Sequence, residues 1–338
     1  MERMIKVIAC IMLCLAIAMP GFAEEKTYRI EVLQVATVAP FQTIYDTFIK
    51  ELEKNGLAKG KNLTINRTII DFDVEKAGLW KKIGVLMRIK SEASRIAGLK
   101  PDLVLTIGTP ATKYGKDAII SAGIPVVFTA VAVPQAAGCK SLTEAGPGFT
   151  GTTLYMNVKD ALRIVKLAFP HVKTLGIVHS DDDNAIAHAD MTKKEGPGLG
   201  LTIVTKQVGK SDSIKPAVQE LMGKGVQAFI VPLDTYYGMR DNEPTRDIVE
   251  ATRPAKIPIV SFIHQKLHGG ALYVGSEFTT MGSLPVQQVV KILKTGAKPE
   301  TLPILRQQDL TIMVDTKTLK DLNINLPMEI LQISKSVD

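Results

Sequence analysis

Two stretches of the sequence place acidic and polar side chains directly after apolar runs that are typical of buried strands. They are Ser180, Asp183 and Asn184 after the run 176–179, and Asp234, Thr235 and Tyr236 after the run 228–232. A carboxylate at a strand end can hold an ammonium group, and the adjacent Tyr236 and Tyr237 can supply apolar walls with polar tips. Asp234 is the stronger candidate, because the triple-Asp run 181–183 has the alternative interpretation of a solvated turn that caps the next helix.

A third stretch predicts a site for an anion. The apolar run 103–107 is followed by Gly108, then by Thr109 as a helix cap and Pro110 in the first helical turn. The free N–H groups and positive dipole end of such a helix can hold a carboxylate without a basic side chain. The pattern therefore predicts an anion site at the start of this helix. The alternative is a capped turn that binds nothing.

Signals for catalysis and for metals are weak. His264 and His268 have the spacing of two ligands on one helical face, but the intervening acid of a metalloprotease helix is replaced by Gln265, and Gly269 favours a loop. Cys139 is the one cysteine after residue 23, and neither a Gly-x-Ser-x-Gly elbow nor a phosphate loop occurs. We expect no metal, no cofactor and no enzymatic activity.

The first residues have the pattern of an export signal. Arg3 and Lys6 precede an uncharged apolar run, 7–19, and small residues lead to Ala23. The run is too short to span a bilayer of roughly 30 Å as a helix. We predict a signal peptide at residues 1–23, cleaved after Ala23, and a periplasmic or equivalent location. The alternative is an uncleaved anchor.

Composition excludes several classes of protein. The chain has 338 residues, 46% of them hydrophobic and 22% charged, which excludes a disordered chain and is enough for two domains. The net charge of +7 is not gathered into a basic run, so we expect no nucleic-acid partner.

Short β-branched runs alternate with amphipathic segments along the rest of the chain. The predicted strands are 29–35, 63–70, 103–107, 125–131, 174–179, 201–205, 227–231 and 257–262. This alternation predicts an α/β fold of two doubly wound parallel-sheet lobes, four strands in each, separated by a Gly/Pro-rich crossing at 134–151. The first lobe is predicted to contain residues 24–136 and about 268–300, the second 145–264 and about 301–338.

The last part of the chain carries a ninth predicted strand, 271–274, and a helix, 281–293. Because the second lobe already has four strands, we expect both to return to the first lobe and the chain end to return to the second. Two lobes joined by more than one crossing form a hinged clamshell, with the ligand at the carboxyl ends of the strands.

Taken together, the segments resemble the ABC-transporter substrate-binding proteins of the type that includes tryptophan-binding homologues. The matching stretches are VLQ at 32–34, DLVLTIGTPA at 102–111, IPVVFTAV at 124–131, PGFTG at 147–151, VPLD at 231–234, ILKTG at 292–296 with Pro299, and LNINLP at 322–327. The resemblance implies a periplasmic-binding-protein clamshell of type I that hands small solutes, aromatic amino acids in characterised cases, to a membrane permease.

The resemblance also implies ligand contacts at 109–112, 128–131, 180–184 and 234–235. With the residue-based candidates, the predicted contact set is Gln34, Thr109, Pro110, Ala111, Thr112, Phe128, Thr129, Ala130, Ser180, Asp183, Asn184, Asp234, Thr235 and Tyr236. The chain departs from the family at Val133, Thr235 and Ser180–Asp181, where Asp, Asn and an Asn-Pro turn are usual. These changes line the expected site, so the identity of the solute is not inherited.

We therefore expect an extracytoplasmic, monomeric solute-binding component of an ABC importer that captures an amino acid or related zwitterion by domain closure. Two alternatives stay open. The chain is a sensor or enzyme ectodomain on the same fold, or its solute is neutral, such as a nucleoside.

Overall fold

The computed structural model describes residues 26–71 and 79–337, and for residues 79–82 it describes the backbone alone. The predicted signal peptide, 1–23, lies outside the described residues. Within the described part of the chain, no helix is long and apolar enough to cross a membrane.

Six parallel strands form the first sheet, in the spatial order β11-β5-β4-β3-β1-β2. The strands are β1 Tyr28–Val35, β2 Leu63–Ile70, β3 Leu103–Ile107, β4 Val126–Val131, β5 Phe149–Thr153 and β11 Leu305–Arg306. Strands β3, β4 and β5 are buried along their whole length, because helices cover both faces of the sheet. This sheet and its helices are the first lobe.

Four helices cover the first sheet. They are α1 Ala39–Lys54, α2 Leu79–Gly98, α3 Thr109–Ser121 and α8 Phe278–Thr295. Helices α1 and α8 pack directly on each other. A side chain at Gly282 of α8 would place its Cβ 2.6 Å from the carbonyl oxygen of Ile44, so glycine is required for this close approach.

Seven strands form the second sheet, in the order β13-β12-β10-β9-β8-β6-β7. The strands are β6 Thr174–His179, β7 Thr202–Gln207, β8 Ala228–Val231, β9 Ile259–Ser261, β10 Leu272–Gly275, β12 Thr311–Val314 and β13 Lys335–Ser336. Strand β12 runs antiparallel to β10, and the other pairs are parallel. The remaining helices, α4 Val158–Ala168, α5 Asp183–Glu195, α6 Lys215–Gly223, α7 Glu243–Thr252, α9 Thr316–Leu322 and α10 Met328–Ile333, complete the second lobe.

The predicted architecture of two parallel-sheet α/β lobes is confirmed, with three corrections in its strands. Residues 149–151, predicted as the end of a crossing, begin β5, which pairs with β4 in the first sheet. Strand β11, in residues assigned to the second lobe, pairs with β5 in the first sheet. The strand predicted at 271–274 pairs with β9 and β12 in the second sheet, so its assignment to the first lobe was wrong. The helix after it does pack on the first lobe, where Thr129 Oγ1 donates a hydrogen bond of 2.6 Å to the Met281 carbonyl.

The chain passes between the lobes three times, at residues 154–157, 276–277 and 307–310. Two of these crossings are tied together, because the Glu277 N–H donates to Gln307 Oε1 at 2.9 Å. Short crossings that lie side by side are the arrangement of a hinge between two rigid lobes.

Candidate ligand-binding site

A cavity of about 810 Å³ lies between the two lobes. The first lobe contributes residues 36–41, Asp71, Ala130 and Phe278, and the second contributes residues around Asn184, Asp234 and Arg246. These positions follow the carboxyl ends of parallel strands, which is where open α/β sheets bind ligands. The volume lies within the usual range of small-molecule sites, roughly 300–1,000 Å³.

The first-lobe wall contains backbone in an unfavourable conformation. Ala36 and Ala130, directly after β1 and within β4, have φ angles of +71° and +58°, and both line the cavity. Left-handed backbone at a residue with a side chain costs on the order of 1 kcal/mol or more and persists where the surrounding structure enforces it. At Ala130 the register between β4 and β5 shifts, so the strand is already irregular where it reaches the cavity.

Asp234 stands at the second-lobe wall and its carboxylate is bonded within the lobe. Oδ2 accepts the Ser180 N–H at 2.7 Å, while Oδ1 accepts the Ser180 hydroxyl at 2.9 Å and the Tyr236 N–H at 3.0 Å. Burial raises the pKa of Asp234, Asp182 raises it further, and the hydrogen bonds act in the opposite direction. Asp234 therefore ties two strand ends together, and among the described residues its Oδ2 accepts one hydrogen bond, from the Ser180 N–H.

Asp182 is the second cavity-lining acid at this wall. Its Oδ1 accepts the Asn184 N–H at 3.0 Å and so caps α5, which agrees with the predicted capping turn. The turn is not solvated at this residue, because the side chain is only 9% exposed and its Oδ2 lies 3.0 Å from Lys210 Nζ. Burial lowers the pKa of Lys210, but the nearby carboxylates of Asp182, Asp234 and Asp181, Asp182 first among them, offset this and the pKa is raised.

The two adjacent tyrosines have different surroundings. Tyr237 lines the cavity, and its hydroxyl donates to the Val178 carbonyl at 2.8 Å. Tyr236 is fully buried behind it, with its hydroxyl on the Asp212 carbonyl at 2.7 Å. The two rings meet edge to face with centroids 5.6 Å apart. Of the two tyrosines, Tyr237 is therefore the one that lines the cavity.

Helix α3 contacts the other lobe at its N-terminus. Its N-cap is Gly108, with a φ of +88°, and Thr109 is the first helical residue rather than the predicted cap. Thr109 Oγ1 donates to Asn184 Oδ1 at 2.9 Å, and Lys113 Nζ lies 2.5 Å from Asp183 Oδ2. These two contacts join the lobes.

The cavity wall includes four of the predicted contact residues, Ala130, Asn184, Asp234 and Thr235. The other ten lie outside this wall in the described structure. Ser180 and Asp183 bond to wall residues or across the lobes, as above. Gln34 bonds to Ala36 and Arg67, and Thr129 to Met281 and Thr152. Residues Ala111, Thr112 and Phe128 are fully buried, and Pro110 is partly exposed.

Sequence reasoning missed the N-terminus of α1. Residues 37–41 line the cavity, and the 16-residue helix begins with Pro40 in its first turn and has no acid there. Val38 occupies the N-cap and has no polar side-chain atom to satisfy the first N–H groups. The pair Ala39–Pro40 after a buried strand was a helix-start signal of the same kind as the one at Thr109.

The loop at residues 240–242 was also missed. Arg240, Asp241 and Asn242 all have positive φ, from +49° to +60°, and line the cavity together with Arg246. Asp241 and Asn242 belong to residue types that adopt this conformation more readily than others, but Arg240 does not, so the loop was hard to predict from the residues. Among the described residues, no group of three or more His, Cys, Asp or Glu side chains has the geometry to hold a metal ion.

Comparison with known proteins extends these observations. The tyrosine-binding protein of Clostridioides difficile (strain R20291) is 25% identical over 279 residues, covering 82% of this chain and 75% of that protein. The ABC domain from Streptococcus pneumoniae, crystallised with L-Trp, has a TM-score of 0.75 at 24% identity and covers 91% of this chain and 99% of its own. A conserved domain protein from Vibrio cholerae has a TM-score of 0.78 at 22% identity over 92% and 99%.

The two solved structures establish likeness of fold, and a family model decides membership. The model described as ABC transporter substrate binding protein matches residues 29–338, which is nearly the whole chain and both lobes. This confirms the resemblance seen in the sequence. The chain belongs to the family of ABC transporter substrate-binding proteins.

Proposed function

We propose that this protein binds one α-amino acid with an aromatic side chain in the cavity between its lobes and delivers it to an ABC permease. The observation that carries the proposal is a cavity of about 810 Å³ with an acidic wall at one lobe and a helix N-terminus at the other. The tyrosine-binding relative supports an aromatic amino acid as the ligand. Binding without turnover and a monomeric state are part of the proposal.

The ammonium group of the ligand lies at Asp234 and Asn184 in this proposal. Asp234 is ionisable, is only 4% exposed, and has a further lone pair on Oδ2 beyond the bond from Ser180. Asn184 Oδ1, which accepts from Thr109, can accept a second donor. The ammonium would form charge-assisted hydrogen bonds with Asp234 and Asn184. Because Asn184 already joins the lobes through Thr109, these bonds would favour closure.

The carboxylate lies at the N-terminus of α1. Pro40 has no N–H and the Phe41 N–H donates to the Val38 carbonyl at 3.0 Å, so the N–H groups of Val38 and Ala39 are the donors in this proposal. The first turn of α1 carries no competing acid. This replaces the site that we predicted at α3, whose first residues bond to the second lobe. The other predicted contacts outside the cavity wall, Gln34, Phe128, Thr129, Ser180, Asp183 and Tyr236, stay predictions.

The aromatic side chain packs between apolar walls. Phe41 and Phe278 line the cavity from the first lobe, Tyr237 from the second, and Leu154 from a crossing segment. Rings meeting edge to face or offset contribute about 0.5–1.5 kcal/mol beyond their burial.

Export completes the proposal. Removal of residues 1–23 would deliver the chain to the compartment where family members meet their permease. Intact mass of the secreted protein measures this directly: a species that starts at Glu24 supports the proposal, and one that starts at Met1 contradicts it.

The function is tested with three ligands that share one ring. L-tyrosine carries both charged groups, tyramine lacks the carboxylate, and 3-(4-hydroxyphenyl)propionate lacks the amine. Isothermal titration calorimetry should give one site for L-tyrosine and at least 100-fold weaker binding of both analogues, because each leaves a buried group unpaired. Equal affinity for all three would refute the zwitterion site and favour a neutral solute such as a nucleoside. Recovery of chemically altered ligand would favour an enzyme.

A further inference from the structure

Lys210 lies directly behind the acidic wall of the cavity. Its Nζ is 3.0 Å from Asp182 Oδ2, and its side chain is 19% exposed. Among the described residues, the cavity wall includes Asp182 and Asp234 but not Lys210. The lysine therefore acts on a ligand through the carboxylates in front of it.

The position of Lys210 is fixed by a neighbouring loop. The guanidinium of Arg240 donates to the carbonyl oxygens of Lys210 and Asp212, and its Nε donates to Glu243 at 2.9 Å. The Gly209 N–H donates to the Asp212 carboxylate at 2.7 Å, which closes the turn around Lys210. Arg240 is thus neutralised by Glu243, and the ammonium of Lys210 is held against Asp182.

The two wall acids are neutralised unequally. Asp234 receives its three bonds from the neutral donors of Ser180 and Tyr236, whereas Asp182 has the ammonium of Lys210. Of the two negative charges on Asp182 and Asp234, one is therefore left without a cationic side chain beside it. A buried unpaired charge is costly, and a ligand with a single positive group removes that cost.

We propose that Lys210 is a specificity-determining residue that leaves this wall one negative charge, so that the cavity selects ligands with a single ammonium group there. The inference rests on the proposed amino-acid function and deepens it. Without Lys210 the two wall carboxylates would share one proton, and an incoming ammonium would displace that proton.

Other charged and titratable groups surround Lys210, Asp182 and Asp234. The substitutions in the test leave all of them in place. They are Asp181 in the turn after β6, His179 at the end of β6 with its Nδ1 on the Ser180 carbonyl, Asp212 after β7, the pairs Arg240–Glu243 and Asp241–Arg246, and the hydroxyls of Tyr236 and Tyr237. Asp181 also raises the pKa of Lys210, but it lies outside the cavity wall and does not face a ligand.

The first arm of the test counts protons released on binding. L-tyrosine is titrated by calorimetry at pH 6 in PIPES and in Bis-Tris, whose ionisation enthalpies differ, into wild type, Lys210→Met and Lys210→Arg. Wild type and Lys210→Arg should exchange close to zero protons, and Lys210→Met should release roughly 0.5–1 proton per ligand. Lys206→Met is the matched control, because Lys206 pairs with Glu220 at the surface of the same lobe. Zero release from Lys210→Met, or the same release from Lys206→Met, overturns the inference.

The second arm needs no ligand. In Lys210→Met the folded wall would bind a proton that the unfolded chain releases, so its stability falls as pH rises. The deficit in Tm relative to wild type should grow between pH 5 and pH 8, by about 2 °C for each unit by which the pKa of the acid pair is raised. Lys210→Gln repeats the measurement if the methionine variant does not fold. A deficit independent of pH overturns the inference. Failure of wild type to bind L-tyrosine, by contrast, counts against the proposed function, and this second arm still decides the role of Lys210.

Discussion

Replacing Thr109 with valine removes a contact that exists only when the lobes touch. The side chain is 2% exposed, and its hydroxyl donates to Asn184 Oδ1 at 2.9 Å across the lobes. Valine keeps the shape and loses the hydroxyl. Because the bond is absent when the lobes separate, its loss should raise the free energy of the closed arrangement alone.

The magnitude follows from the type of bond. A neutral hydrogen bond contributes about 0.5–1.5 kcal/mol net, so closure should become less favourable by that amount. The apparent dissociation constant for a ligand that requires closure should then rise by roughly 2- to 12-fold. The neighbouring Lys113–Asp183 pair is more exposed, at 35% and 48%, so its removal should have a smaller effect.

The assay is calorimetric titration of L-tyrosine, with urea unfolding as a check on stability. Thr192→Val is the matched control, because the Thr192 hydroxyl is also buried but donates to the His188 carbonyl at 2.7 Å within α5. Thr192→Val should lower stability and leave affinity unchanged. The reasoning is refuted if Thr109→Val binds as tightly as wild type, or if Thr192→Val weakens binding to the same degree.

Three further predictions concern the buried groups of the two lobes. Asp234→Asn should lower the free energy of unfolding by about 1–3 kcal/mol in urea titrations, because an amide NH₂ replaces one oxygen that accepts from Ser180 or Tyr236. The control Asp309→Asn, at an exposed position, should change the free energy of unfolding little. Burial lowers the pKa of His188 to about 4, so the folded protein takes up a proton less readily than the unfolded chain. The free energy of unfolding should therefore fall by about 3 kcal/mol as the pH is lowered from 6.5 toward 4. His188→Leu should flatten that pH dependence in urea titrations, and His171→Leu, at an exposed position, should not. Burial raises the pKa of Cys139 to about 12, so a disulfide reagent at pH 8 should label it about a thousandfold more slowly in the native protein than in urea, and equal rates would contradict its burial.

The order of strands and helices could be predicted well from local patterns. Runs such as β3, buried at every position, can only be covered strands, and the helices after them show their apolar faces in the sequence. Strand β5 was missed because Gly146, Gly148 and Gly151 suggested a loop. In the structure, a Cβ at Gly151 would lie 2.2 Å from the Phe128 carbonyl oxygen, so that glycine permits close strand pairing. A sequence does not distinguish a glycine of a turn from one of a close approach.

Sheet membership of β10 could not be predicted, because it depends on contacts between distant segments. Strand β9 has only three residues, and its free side is filled by β10, which is in turn covered by the antiparallel β12. The position of β12 beside β10 depends on the path of the chain after residue 306. The residues 271–275 themselves contain no signal for that path.

The sequence alone determined the two-lobed α/β class, the family resemblance and the position of Asp234 at a strand end, because hydrophobic period and strand-end polarity are local properties of the chain. The tertiary structure decided which groups reach the cavity. Tyr237 lines the cavity and Tyr236 does not, Thr109 donates a hydrogen bond to Asn184, and Asp182 is buried beside Lys210. Each of these outcomes depends on a partner from a distant segment, since burial and hydrogen bonding are properties of the packed chain.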